Sequence, residues 1–210
     1  VCDHHQPGEI VPNCLVLDPK QKDCHYPYKE LCGCGVGFKL LQGLCMRNNW
    51  KLDQLYTHLD LVAVAIGADI VPITGENRIL CFHGMRLLNE QPRPSFKALL
   101  TLAKRSFPVT LTDVVFTIAP RINAAGRLHT GRHAVDLMIS DDLDGIRKMA
   151  LEINEYNQDR RSLDEEITME ALEMLDKDVA FSKRKSTVVF KDDWHKGVVG
   201  IVASRLIEKH

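Results

Sequence analysis

Near the start of the chain, Asp3, His4 and His5 place a carboxylate directly beside two imidazoles. Oxygen and imidazole donors in this mixture suit Mn2+ or a similar divalent ion better than a thiolate-seeking metal. Side chains on consecutive strand residues point to opposite faces unless the chain turns there. At most two of the three are therefore expected to serve one centre directly, with the third in support. The competing reading is a solvated surface triplet with no role. A second carboxylate, Asp69, sits in the nearly continuous apolar stretch from Leu52 to Ile73, flanked by Ala68 and Ile70. A charge buried in such a stretch is costly unless it is paired, hydrogen-bonded or bound to a cation. Its bland alternative is a helix-terminus cap or an ion pair, for instance to Arg78.

Two later blocks carry the chemistry of phosphate recognition. Residues Ala119 to Leu128 read A-P-R-I-N-A-A-G-R-L, with Arg121, Asn123 and Arg127 set among small side chains. Guanidiniums recognise phosphate bidentately, and small neighbours allow close backbone approach. The rival is a tight turn whose arginines pair with Asp136 and Asp141. Further on, His195-Lys196-Gly197-Val198-Val199-Gly200 precedes Ile201-Val202-Ala203-Ser204-Arg205. Gly197 and Gly200 fall at an expected strand-to-helix junction, where helix-start N–H groups attract an anion and Ser204 and Arg205 add donors. The block lacks the Lys-Ser/Thr ending of a P-loop, so a purely structural turn competes.

These groups must be held by elements that the pattern outlines. Val1-Cys2 reads as the end of a buried strand opening into the Gln6-Pro7-Gly8 turn, and Cys14 to Leu17 as another short apolar strand. Leu31 to Leu44, with Gly33, Gly35 and Gly37 at its head, leads into a closely packed helix. The Ala and Leu content of the run from Leu52 favours helix in its first part. Arg78 through Phe107 reads as short helices separated by Pro92 and Pro94. Ile146, Met149, Ile153, Tyr156, Leu163, Ile167 and Leu175 recur at helical steps in a charged background, the signature of one long amphipathic helix able to join two lobes. Thr187 to Phe190 reads as a strand, Trp194 to Gly197 as a loop, and Ile201 onward as a helix, with a lobe boundary near Asp178.

Composition sets outer limits. In 210 residues, 45% apolar content is enough for a real core, and a net charge of −1 means that any nucleic-acid contact must come from local clusters. Seven cysteines, with Cys32-Gly33-Cys34 too tight for paired zinc ligands, read as reduced thiols of a cytoplasmic protein. No apolar run is long enough for a membrane span. A first residue Val1 rather than Met, and a helical pattern still running at Glu208-Lys209-His210, suggest a piece of a longer polypeptide.

Asp3 to Gly8, Ala68 to Pro72 with Gly75 to Arg78, Arg121 to Leu128, and Trp194 to Leu206 follow one another in an order and spacing that resembles the DHH phosphoesterases. Within them the chain is most similar to the RecJ-type exonucleases, which act 5′-to-3′ on single-stranded DNA in repair and recombination. The resemblance implies an α/β fold: residues 1–80 as the C-terminal part of a DHH-type parallel-sheet domain, 81–177 as a helical region with a long connecting helix, and 178–210 as the start of a second α/β domain. It also implies that Asp3, His4 and His5 are catalytic. In that scheme His4 and Asp69 are metal ligands, His5 meets the scissile phosphate, and Asp3 is a supporting carboxylate. Arg121, Asn123 and Arg127 would line the strand's path, and His195, Gly197, Gly200, Ser204 and Arg205 would hold the nucleotide. Two ions, Mn2+ or Mg2+, would complete the site in a monomeric parent that meets single-stranded DNA and repair proteins. The family's Asp-x-Asp motif lies upstream of the triplet, so this chain alone is expected to be inactive, with an unpaired sheet edge and an exposed apolar face. The alternatives are a relative that cuts short oligonucleotides or cyclic dinucleotides, and a non-catalytic scaffold of the same fold.

Overall fold

The computed structural model describes residues 1–177 and 185–209, which leaves the expected lobe boundary at Asp178 outside the described residues. The chain divides into two compact units, Val1–Pro120 and Arg121–His210. Among the described residues every regular element is helical, and the one strand-like pairing is a parallel bridge between Cys2 and Leu17. No helix among them is long and apolar enough to cross a membrane.

The first unit begins with helices α1 (Gly33–Arg47), α2 (Asp53–Tyr56), α3 (Leu59–Ala68), α4 (Gly75–Glu90) and α5 (Pro94–Leu102). The Cys32 thiol opens α1 by accepting from the Gly35 N–H. Pro94 opens α5 at a position where its missing N–H costs nothing. Helix α4 is longer than the short pieces expected, because no proline interrupts it before Pro92. Helix α3 is the centre of this unit. Its Val62, Ala63 and Ile66 pack into a core with Val36 and Phe38 of α1 and Leu80 and Cys81 of α4. The buried Asp60 in its first turn is gripped by Arg93, whose Nε and Nη2 donate to the two carboxylate oxygens at 2.7 and 3.1 Å. Arg93 Nη2 also donates to the Thr57 carbonyl at 2.9 Å.

The chain then runs through α6 (Leu111–Asp113), a π-helical turn (Val114–Ile118) and α7 (Ala119–Leu128). A capping box between Thr110 and Asp113 starts this run. The wider turn precedes Pro120, which has no N–H for an ordinary helical bond, so the π register falls where the hydrogen-bond ladder must lapse anyway. In the second unit, α8 (Arg132–Ile139) precedes α9 (Leu143–Asp176) and α10 (Val199–Lys209). The expected long helix is α9, 34 residues, capped by Asp142 accepting from the Asp144 and Gly145 N–H groups. Its Ile167 and Ala171 form a small core with Val198 and Val202.

The expected strands do not form ladders. Val1 and Cys2 are exposed rather than buried, Leu15 is 93% exposed, and Thr187–Phe190 forms neither strand nor bridge, with Val188 and Phe190 exposed. A strand's N–H and C=O groups need a neighbouring strand, and beyond the Cys2–Leu17 bridge the described residues offer none. On α1, Leu40, Leu41, Leu44 and Met46 face solvent as an apolar stripe. The seven cysteines are unpaired.

The Asp60 carboxylate is out of water with one guanidinium to neutralise it. Arg93→Ala is expected to destabilise the protein by roughly 3–5 kcal/mol, the cost of stranding a buried charge. Chemical denaturation of Arg93→Ala beside Arg93→Ala/Asp60→Asn measures it, with the double variant recovering part of the loss.

Candidate functional site

The parallel bridge sets the backbone that enters the site. Asp3 N–H donates to the Leu17 carbonyl at 3.0 Å and Leu17 N–H to the Val1 carbonyl at 2.8 Å. At Asp3 the chain turns. One oxygen, Oδ1, accepts from the His4 N–H at 2.7 Å, the His5 N–H at 3.2 Å and the His5 ring Nδ1 at 2.7 Å. The chain turns here in place of strand alternation, and donor atoms of Asp3, His4 and His5 all lie within 4.8 Å of one another. The His5 ring is the first cause, and the two backbone N–H groups the next, of a fall in the Asp3 carboxyl to about 2. Because an ionised carboxylate only accepts, His5 Nδ1 carries a proton, which leaves Nε2 to meet a metal ion or a phosphate. A carboxylate orienting an imidazole in this way is the usual support for a metal-binding histidine.

His4 turns the other way. Its ring packs 4.3 Å from that of His5 and reaches toward Asp69, with His4 Nε2 3.7 Å from Asp69 Oδ2. That separation is too long for a hydrogen bond. One divalent ion could still reach both atoms, because two ligands with bonds of about 2.1 Å stand about 3.0 Å apart at a right angle and at most about 4.2 Å apart. The ring lies against Gly33 in the first turn of α1, where a Cβ would come to 3.3 Å from His4 Cδ2.

Asp69 is not buried, contrary to the expectation from its apolar neighbours. The apolar run ends with α3 at Ala68, Asp69 is the C-cap, and the exposed Ile70 turns left-handed at φ 53°. Its carboxylate stands at 37% exposure while His4 stands at 17%. A carboxylate at a helix C-terminus faces the negative end of the helix dipole, so a cation there relieves an unfavourable placement. The suggested partner Arg78 is not the one Asp69 meets; His4 is.

In the second unit, Arg121 and Arg127 lie on helix α7 rather than a turn. Arg121 is nearly buried and donates from Nε to Asn154 Oδ1 at 3.1 Å; burial first, and then the nearby Arg161, lower its pKa. Arg127 Nη1 donates to the Gly197 carbonyl at 3.0 Å. Neither pairs with Asp136, which Arg132 holds at 2.8 Å. Asn123 is exposed on the same helix. Gly197 is required by contact: a Cβ there would stand 2.6 Å from the Arg127 carbonyl oxygen. His195 Nδ1 accepts from the Gly197 N–H at 3.1 Å. Gly200 has open space around it, and the Ser204 hydroxyl donates back to the Gly200 carbonyl at 3.2 Å within α10. Arg205 Nη2 stands 2.6 Å from Asp164 Oδ2 on α9.

No protein-family model matches the chain. Its whole length aligns, at 36% identity over 226 residues, with the single-stranded-DNA-specific exonuclease RecJ of Escherichia coli, of which it spans 39%. This chain is similar to RecJ throughout. The crystal structure of RecJ from Thermus thermophilus in complex with Mn2+ superposes on 99% of the chain with a TM-score of 0.83 and 31% identity, over 30% of the RecJ chain. The Mg2+ complex from the same organism gives 0.82 at 30% identity, over all of this chain and 31% of RecJ. The chain thus spans well under half the length of these relatives.

The buried polar residues that the sequence reading did not single out lie on α9. Asn154, Asn157, Arg160, Arg161 and Asp164 fall at steps of three and four, and Asn157 and Asp164 are buried. The signal was a lapse: the apolar series has no member between Tyr156 and Leu163, just where these polar residues take the inward face.

The Asp3 carboxyl is expected to titrate near 2 rather than 3.8. Because its pKa is depressed, the turn's contribution to stability is present above about pH 3.8 and is lost as pH falls through about 2. NMR titration of the carboxyl carbon reads the midpoint, and His5→Ala should move it upward because the ring is the largest cause.

Proposed function

We propose that this chain is part of a divalent-metal-dependent exonuclease that degrades single-stranded DNA from the 5′ end, in DNA repair and recombination. The observation that carries this reading is the His4–Asp69 approach at 3.7 Å beside the Asp3-His4-His5 turn, which gathers mixed oxygen and imidazole donors at one point. Those donors suit Mn2+ or Mg2+, the ions in the RecJ complexes it resembles.

In this mechanism His4 and Asp69 hold a metal ion, Asp3 orients His5, and His5 Nε2 meets the scissile phosphate. A bound pair of divalent ions supplies an activated water and neutralises charge developing on the phosphoryl oxygens. Arg121, Asn123 and Arg127 on α7 line the path of the strand, and their contacts to phosphate rather than to bases suit digestion of any sequence. His195, Gly197, Gly200, Ser204 and Arg205 hold the nucleotide. For Ser204 this requires its hydroxyl to leave the Gly200 carbonyl.

The finer architecture belongs to the same reading. Residues 1–80 complete a parallel-sheet domain in the longer protein, 81–177 form its helical connection, and 178–210 begin a second α/β domain. The parallel sense of the Cys2–Leu17 bridge and the apolar stripe of α1 support a sheet at that place. A monomeric, cytoplasmic protein that works with other repair proteins suits this activity.

The test is Mn2+-dependent release of nucleotides from a 5′-phosphorylated single strand by the full-length protein. His4→Ala and Asp69→Asn should each lower the rate by more than the roughly 10–100-fold typical of an outer-shell metal residue. Unchanged rates in both variants would remove the metal centre from this chain.

A further inference from the structure

In the second unit, side chains from the end of α7, from α8 and from α9 form a ring array to which the proposed function gives no task. His129, one residue past the end of α7, lays its ring 3.9 Å from that of Tyr156 on α9, with 32° between the planes. His133, in the first turn of α8, has its ring 5.9 Å from the Tyr156 ring and only 16° off parallel. The Tyr156 hydroxyl lies 3.2 Å from His133 Nδ1, and His133 Nε2 lies 3.6 Å from Glu152 Oε2, one turn before Tyr156 on α9. In a neutral imidazole the proton then sits on Nε2, facing the carboxylate, and Nδ1 accepts from the hydroxyl.

The array is fixed at its inner end and open at its outer end. Tyr156 is half-buried, with one imidazole over its ring and another on its hydroxyl, so its plane is set. His129 is exposed, and its backbone N–H still donates to the Ala125 carbonyl at 3.1 Å, as if α7 continued. Among the described residues its ring engages Tyr156 and no polar group. A flat π face on an immobile support is what an unpaired base stacks on, whatever its sequence. The carboxylate of Glu152 in the array suits an uncharged base better than a phosphate. The ring also stands two residues beyond Arg127 and six beyond Asn123, both proposed to line the path of the strand.

We infer that His129 is a stacking platform for one base of the strand, with Tyr156 and His133 as the positioning residues that hold its ring in place. The inference rests on the reading of this chain as part of a single-strand nuclease and adds to it a contact to a base. Such a platform favours a single strand by itself. A base in a duplex is already stacked between its neighbours, whereas an unpaired base is free to swing onto the imidazole. Because every base has a π face, the contact selects for single-strandedness without selecting for sequence.

The experiment measures binding of two 5′-phosphorylated strands to the full-length protein by fluorescence anisotropy, in chelator so that nothing is cut. One strand is an oligothymidylate; the other is an abasic strand of the same length and charge. The wild-type protein should prefer the thymidylate. His129→Ala should bind it about tenfold more weakly, the scale of one lost base stack, and should bind the abasic strand as the wild type does. His129→Phe, which keeps a flat ring without its nitrogens, should restore binding of the thymidylate. Comparing the two strands on one preparation removes any effect of a misfolded fraction. Equal losses on the two strands would mark a phosphate contact and overturn the inference. No loss on either strand, a wild type indifferent to the bases, or a phenylalanine variant no better than alanine would overturn it too. Each of these results leaves the nuclease reading standing. A wild-type protein that binds neither strand, and releases no nucleotide from the thymidylate when Mn2+ is restored, overturns both.

Discussion

The two-pronged grip of Arg93 on the buried Asp60 decides where helix α3 begins, and what the first unit offers a cation follows from where that helix ends. Asp60 sits in the first turn, where a carboxylate complements the helix dipole; Asp69 sits one residue past the last turn, where a carboxylate opposes it. Between them Val62, Ala63 and Ile66 seat the helix against α1 and α4. The favourable acid anchors, and the unfavourable one is held out at the surface beside His4. The metal ion proposed for this place would relieve that repulsion.

The second unit solves a different problem by a related device. Burying Asn157 and Asp164 on α9 gives up apolar contact that leucine or isoleucine would supply at the same positions. In return, α7 and α10 are tied to α9 through guanidiniums, beside the small core of Ile167, Ala171, Val198 and Val202. Gly197 belongs to the same assembly, because only a residue without a side chain lets its loop meet the Arg127 carbonyl while Arg127 reaches its own.

Much of this was legible in the amino-acid sequence, and the failures have common causes. Helix α9 was legible because its apolar residues repeat over many turns. The triplet was legible by residue type; its close grouping was not, because it depends on Asp3 capturing two backbone N–H groups and turning the chain. Asp69 looked buried because a window average cannot see that Ala68 is the last helical residue. The A-P-R-I-N-A-A-G-R-L block invited a turn through its proline and glycine; a π-helical turn ahead of Pro120 lets the helix continue instead. Short β-branched runs read as strands, yet a strand is a property of two segments, and a lone segment contains no information about its neighbour. The polar stripe on α9 was missed because Asn, Arg and Asp at helical spacing look like any solvated face, and its one mark was the gap in the apolar series between Tyr156 and Leu163.

The triple hydrogen bond on a single oxygen of Asp3 has a kinetic side. The Asp3 carboxylate and the His5 imidazole give up rotational freedom when the turn forms, so under the proposed metal-dependent reading little ordering of these two groups would remain when an ion arrives. Capture would then wait on the ion rather than on the protein, and the slow step would be the shedding of bound water. Mg2+, which dehydrates reluctantly, would load more slowly than a larger and looser ion into the same waiting donors.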